Sequence, residues 1–182
     1  GEEVELFLNG NSLGKGKRQY NFLFTFDNVT FKPGKLEVVS YNKAGKEISR
    51  YAVNTAGEPA SLKLTAIQNP EGFHADGADM ALIQVEVVDK DGKRCPLDNR
   101  TVQFTLNGHA EWRGGIAQGE NNHILDTNLP VECGINRALI RSTTTAGKVT
   151  LTAQAKGLPS ATLTLETVPI KVTGGLSSYL PQ

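Results

Sequence analysis

Ala81-Leu82-Ile83-Gln84-Val85-Glu86-Val87-Val88-Asp89-Lys90-Asp91-Gly92 is the stretch on which the fold reading turns. Ala81, Ile83, Val85 and Val87 recur at every second position, the period of a strand with one buried face, and Asp89 to Gly92 then supplies turn residues. The same period runs outward in both directions. Before it, Leu62, Leu64 and Ala66 alternate until His74-Ala75-Asp76-Gly77 breaks the pattern. After it come Val102, Phe104 and Leu106, then Ala138 with Ile140, then Val149, Leu151, Ala153 and Ala155, then Ala161, Leu163 and Leu165. Short strands with turn signals every ten residues or so predict a β-sandwich. The Gly- and Asn-rich segment from Gly108 to Gly134 breaks the rhythm and is expected to be a long loop.

The first third has the same period. Val4, Leu6 and Leu8 alternate up to the turn residues Asn9-Gly10, and Phe22, Phe24 and Phe26 recur at period two, as core residues would. Pro33-Gly34 turns into Leu36-Glu37-Val38-Val39-Ser40-Tyr41, and Asn42-Lys43-Ala44-Gly45 leads to Glu47–Val53. No stretch of 12 residues carries a helical apolar stripe, so the chain is expected to be all-β. Thr55-Ala56-Gly57-Glu58-Pro59-Ala60 reads as a linker between two sandwiches, residues 1–57 and 58–168, with 169–182 as a tail. A block under about 60 residues is marginal as a single core, so the first either packs on the second or lacks strands.

Composition narrows the function. The 182 residues carry Lys+Arg 19 against Asp+Glu 19, and zero net charge argues against nucleic acid or an anionic membrane as partner. No apolar run approaches the roughly 20 residues that span a bilayer. Gly1-Glu2-Glu3 is acidic where a signal peptide is basic and then apolar. Two Cys are too few for a disulfide scaffold or a four-thiolate metal site, though Cys95 and Cys133 could pair with each other.

The chemistry-bearing residues are sparse. His74, His109 and His123 all fall in expected turns or loops, and neither a Gly-x-Ser-x-Gly elbow nor a His-Glu-x-x-His pair occurs. Asp89-Lys90-Asp91-Gly92 opens like a calcium loop but lacks Gly at the sixth position and Glu at the twelfth, so a hairpin turn is the expected reading. Asn28-Val29-Thr30 and Asn99-Arg100-Thr101 match the short glycosylation sequon. Trp112, the single Trp, stands in Glu111-Trp112-Arg113-Gly114-Gly115. An exposed indole there could stack on the apolar face of a sugar, with Arg113, Gln118 and Asn122 as hydrogen-bonding partners; a packing role is the alternative. No catalytic residue, metal site or cofactor is expected.

Glu3-Val4-Glu5-Leu6-Phe7-Leu8-Asn9-Gly10-Asn11-Ser12-Leu13-Gly14 resembles the hairpin of a β-sandwich that follows the catalytic barrel in family 2 glycoside hydrolases, which include bacterial β-galactosidases. Pro33-Gly34-Lys35-Leu36 through Tyr41, Gly45-Lys46-Glu47 and Thr55-Ala56-Gly57-Glu58-Pro59-Ala60 resemble the end of that sandwich. From Leu62 to about Val168 the chain resembles the immunoglobulin-like C-terminal domain of the same enzymes, distantly similar to invasin and intimin repeats. The residues that carry this are Ala75-Asp76-Gly77, Val85–Gly92, Val102-Gln103-Phe104, Trp112–Gly119 and Arg141–Gly147.

The resemblance implies two consecutive immunoglobulin-like sandwiches, the first truncated, and a parent enzyme that cleaves glycosidic bonds. The family's two catalytic glutamates lie on a (β/α)₈ barrel of about 250 residues, which this chain is too short to contain, so none is assigned here. The remaining domains of the parent, its barrel included, become the expected partners, and a periplasmic or extracellular bacterial location is implied. The family hairpin follows another strand of its sheet, so Val4–Leu8 is expected to be an orphaned edge prone to self-association. Accessory support for the parent enzyme is the leading functional expectation. A free-standing carbohydrate-binding module comes second and an adhesin-like stalk third.

Overall fold

The computed structural model describes residues 1–116 and 121–171 and divides into two compact units, Gly1–Thr55 and the stretch from Ala56 onward. Among the described residues every regular element is a strand, so the all-β expectation holds.

The first unit contains β1 (Glu3–Leu8), β2 (Asn11–Lys15), β3 (Lys17–Tyr20), β4 (Leu23–Thr25), β5 (Lys35–Tyr41) and β6 (Glu47–Asn54). Four of these form an antiparallel sheet in the order β2-β1-β5-β6, and β3 with β4 forms a separate ribbon. Asn9 and Gly10, at φ 52° and 81°, make the two-residue turn between β1 and β2 that Asn-Gly favours. The Asn9 side chain then ties this turn to the start of β5. It donates to the Pro33 carbonyl at 3.0 Å and accepts from the Lys35 N–H at 2.8 Å.

Two expectations for this unit are corrected. The N-terminal strand is not an edge: β1 bonds to β2 on one side and β5 on the other, which consumes its backbone donors and acceptors, and the edges are β2 and β6. Nor is the Phe22 to Phe26 series a core row. Phe22 lies in the turn of the β3–β4 ribbon and is 91% exposed, because a two-stranded ribbon cannot bury residues on both of its faces.

The second unit contains β7 (Ser61–Ile67), β8 (Phe73–His74), β9 (Met80–Val88), β10 (Thr101–Gly108), β11 (Ala110–Gly114), β12 (Asn128–Pro130), β13 (Ile135–Ser142), β14 (Gly147–Ala155) and β15 (Ala161–Val168). One sheet has the order β12-β10-β14-β15-β8 and the other β11-β13-β9-β7. All pairings are antiparallel except the short one between β15 and β8. The inward rows read from the sequence form one core between the sheets. Ala81, Ile83, Val85 and Val87 of β9 meet Val102 and Phe104 of β10, Ile140 of β13, and Val149 and Leu151 of β14, all buried.

The stretch from Gly108 to Gly134 is more regular than expected. It holds β11 and β12 and ends in a tight hairpin, in which Glu132 and Ile135 exchange both backbone hydrogen bonds around Cys133 and Gly134. Both central residues have positive φ, 50° and 75°, as a type I′ turn requires. Its signal is hidden because Cys stands where Asn or Asp usually does. Cys133→Asn is therefore expected to stabilise the unit by about 0.5 kcal/mol, read as a raised urea midpoint at unchanged slope. Both thiols are free, Cys95 buried and Cys133 exposed, and burial pushes the Cys95 thiol above its ordinary pKa.

Candidate functional site

The candidate residues of the Trp112 region sit on β11 and on the segment that folds back against it. β11 pairs with β13, placing Trp112 opposite the buried Ile140 and Glu111 opposite Arg141. Trp112 therefore turns inward. Its ring stacks on Phe104 with centroids 5.3 Å apart and planes at 30°, and its indole N–H donates to the Asp126 carbonyl at 2.9 Å. Arg113 lies with Glu111 on the other side of the strand, 3.9 Å from its carboxylate, which also holds Arg141 at 2.6 Å. Asn122 uses its side-chain oxygen to accept the Ile124 N–H at 3.0 Å, a local turn contact. Trp112 and Arg113 thus do not share a face, Asn122 is engaged within its own turn, and Gln118 lies outside the described residues.

Asp126 organises this end of the unit. One carboxylate oxygen accepts the Asn128 N–H at 2.9 Å and the other is 3.1 Å from His123 Nδ1, and together these hold its carboxyl below the usual range. The backbone of Arg113 and Gly115 bonds that of Leu125 and His123, which locks the returning segment onto β11. Gly114 at φ 81° permits this approach, since a Cβ there would meet the His123 carbonyl and the Leu125 N–H. With one face of Trp112 on Phe104 and its polar edge spent internally, galactosides and glucuronides are expected to leave its emission unchanged up to millimolar concentrations on the order of typical weak sugar sites. A saturable response in a fluorescence titration would instead show that the other face is used.

Among the described residues, the carboxyls displaced from their ordinary range, Glu37, Glu47, Asp76, Asp89, Asp98 and Asp126, are all displaced downward. Lys35 and Arg50 flank Glu37, Arg50 holds Glu47, and Arg100 grips Asp98 with bonds of 2.6–2.9 Å. Burial would raise Asp76, but the N–H groups of Ala78 and Asp79 and the Ser142 hydroxyl outweigh it. A glycosidase acid needs the opposite, a carboxyl raised so that it is protonated near neutral pH. Among the described residues no group of three or more His, Cys, Asp and Glu side chains is placed to hold a metal ion.

Asp89 shows what the Asp89-Lys90-Asp91-Gly92 motif does. Its carboxylate accepts the N–H of Gly57 at 2.7 Å and those of Asp91 and Lys93 at 2.9 Å each, fastening the start of the second unit to the turn after β9. Donation from Gly57 and Lys93 holds this carboxyl below the usual aspartate value. The sign follows from linkage: the stabilisation is complete above the unfolded value of about 3.9 and is lost as pH falls through the lower folded value. The stability gap between wild type and Asp89→Asn, measured by urea unfolding, should therefore be constant near neutral pH and narrow below about pH 4. A gap independent of pH would mean that the ionised form carries none of it.

Residues 62–164 match the family model for the glycoside hydrolase family 2 C-terminal domain 5. The chain belongs to glycoside hydrolase family 2. Residues 1–49 of this family 2 chain match a domain of unknown function. A β-glucuronidase of Formosa agariphila is 42% identical over 180 residues, which is 98% of this chain and 18% of that protein. β-Galactosidase BoGH2A of Bacteroides ovatus is 33% identical over 168 residues, 89% of this chain and 19% of that one. Among solved structures, a family 2 β-glucuronidase superimposes with a TM-score of 0.86 at 41% identity, covering 99% of this chain and 19% of its own. A family 2 member from Bacteroides cellulosilyticus gives 0.78 at 34% identity, covering 92% and 22%. The family 2 chain thus spans about a fifth of the length of these curated relatives.

Proposed function

We propose that this chain is a non-catalytic C-terminal accessory region of a longer family 2 glycosidase of the β-glucuronidase or β-galactosidase kind. Its two units support a catalytic barrel or shape access to its substrate cleft. The match to the Formosa agariphila β-glucuronidase carries this reading, because it takes up 98% of this chain and 18% of that protein. The carboxyls agree with it. Retaining hydrolysis of a glycoside requires one carboxylic acid to protonate the leaving oxygen and a carboxylate roughly 5–5.5 Å away to attack. Here the shifted carboxyls are held ionised by Arg, Lys and backbone N–H groups.

The test compares three proteins on p-nitrophenyl β-glucuronide and β-galactoside: this chain, the full-length protein, and the full-length protein deleted from Gly1 onward. The expected result is turnover by the full-length protein, none by this chain, and altered KM or lowered thermal stability in the deletion variant. Turnover by this chain alone would overturn the non-catalytic assignment. A deletion variant identical to full length in rate, KM and stability would overturn the accessory role.

A further inference from the structure

The two outer faces of the second unit differ in chemistry. On the β12-β10-β14-β15-β8 sheet, Thr105, Thr152 and Thr162 pair in one outward row and Asn107, Thr150 and Thr164 in the next. These hydroxyls and amides are uncharged, and water satisfies them. On the β11-β13-β9-β7 sheet the outward residues alternate with the buried Ala81, Ile83 and Val85 of β9 and the buried Ala138 and Ile140 of β13. Directly paired residues share a face, so Ile67, Leu82 and Leu139 form one aliphatic row across β7, β9 and β13, with Met80 beside it. Ile67 is 45% exposed, Met80 40% and Leu82 37%. The inward row of β9 already supplies the core, so outward aliphatic residues at the same strand mark a surface that something else covers.

Charge frames this row. On one side of it Arg141 pairs with Met80 and Glu111, and on the other Gln84 pairs with Arg137 and Thr65. Arg137 spends Nε and Nη2 on the neutral side-chain carbonyl of Gln84, at 3.1 and 3.0 Å, and among the described residues no carboxylate matches its charge. Glu111 serves two cations, Arg141 at 2.6 Å and Arg113 at 3.9 Å, while Arg141 Nε is buried without a hydrogen-bond partner among the described residues. Lys63 and Glu86, one row beyond Gln84, face each other at 3.9 Å. The aliphatic row therefore lies between Arg137 and Arg141, about 13 Å apart along β13, on a face with an excess of positive charge. A second copy laid on the same face would bring like charges together. A glycan would find no aromatic ring in these rows to stack on, because Trp112 turns inward. Aliphatic residues with Met and Arg are instead the composition of a protein interface.

We propose that the outer face of the β11-β13-β9-β7 sheet docks the second unit onto another domain of the longer glycosidase. The docked surface presents aliphatic side chains to Ile67, Leu82 and Leu139, and carboxylates on either side of them to Arg137 and Arg141. The hydroxyl-bearing face of the opposite sheet stays in water. This rests on the reading of the chain as an accessory region, and it names the face and the partner chemistry through which that role is exerted.

Labelling within the full-length protein tests it. Leu82→Cys and Thr162→Cys are each made there together with Cys133→Ser, and their maleimide labelling rates are compared. Both positions are exposed on the unit itself, one on each outer face, so a difference in rate reports a cover supplied from elsewhere. The expected result is rapid labelling of Thr162→Cys and labelling of Leu82→Cys slower by about tenfold or more. Adding Arg137→Glu should restore most of the lost rate, and Arg137→Lys little of it. Ile67→Cys gives the same reading from the neighbouring strand, should Leu82→Cys unsettle the fold. Equal rates on the two faces would overturn the proposal, as would protection that survives Arg137→Glu. Protection that fades on dilution would identify a second copy as the cover, and protection that appears only with added polygalacturonate would identify an acidic glycan; either result overturns it. The KM and thermal stability of the deletion variant are read separately. An effect of the deletion with Leu82→Cys unprotected removes this docking face and leaves the accessory role standing; protection without such an effect does the reverse.

Discussion

Phe73→Ala is expected to lower the unfolding free energy of the second unit by about 3–5 kcal/mol, read as a loss of urea midpoint at constant slope. Phe73 is fully buried although β8 contributes only two residues. It pairs with Thr167 of β15, and its ring joins the core between the two sheets. Four features around it resist collapse. β8 is fastened by the His74 N–H donating to the Asp79 carboxylate at 2.7 Å and by the Ala75 N–H donating to the Val168 carbonyl at 2.8 Å. Ala78 and Asp79 in turn donate their N–H groups to Asp76. A cavity at this point cannot be filled by a shift of β8, so the full truncation penalty should appear. Trp112, the single Trp, belongs to the second unit, so its emission follows this transition without contribution from the first. A loss below about 1 kcal/mol would mean that the end of the core is loosely packed.

Gly108→Ala should cost about 2–4 kcal/mol, although it adds a single methyl group. Gly108 ends β10 at φ 102°, outside the left-handed region that an L-residue tolerates, and a Cβ there would fall on the Lys148 carbonyl of β14. That carbonyl already accepts the His109 N–H at 3.2 Å, so moving it breaks the ladder between β10 and β14. Gly92→Ala is the control. Gly92 has φ 77°, and a Cβ would meet nothing within 4 Å, so only backbone strain of about 1–2 kcal/mol is expected. The difference between the two variants, measured by urea unfolding, isolates the close approach of the strands. Equal losses would show that φ alone matters at both positions.

The β period was legible because it is a local consequence of burying one face. Ala81, Ile83, Val85 and Val87, Val102 with Phe104, and Val149 with Leu151 declared themselves as inward rows, and each is buried between the sheets. The Phe22 to Phe26 row shows the limit of the same argument. Period two states that a face exists, but only a second layer buries it, and Phe22 has none. The candidate sugar residues show a second limit. Trp112 and Arg113 are adjacent in sequence, and adjacency in a strand puts side chains on opposite sides, one toward Phe104 and the other toward Glu111. The hairpin at Cys133-Gly134 was missed because Cys gives no turn signal, although its φ of 50° is one that Asn or Asp would have advertised.

From the amino acids alone follow the all-β class and the turns at Asn9-Gly10 and Asp89–Gly92, because each is a property of neighbours along the chain. Which strands become neighbours in space was decided by the tertiary structure. It made β1 a central strand and turned Trp112 inward. Pairing joins residues tens of positions apart through backbone hydrogen bonds that every residue but proline can make, so side-chain chemistry leaves it undetermined until the sheets pack.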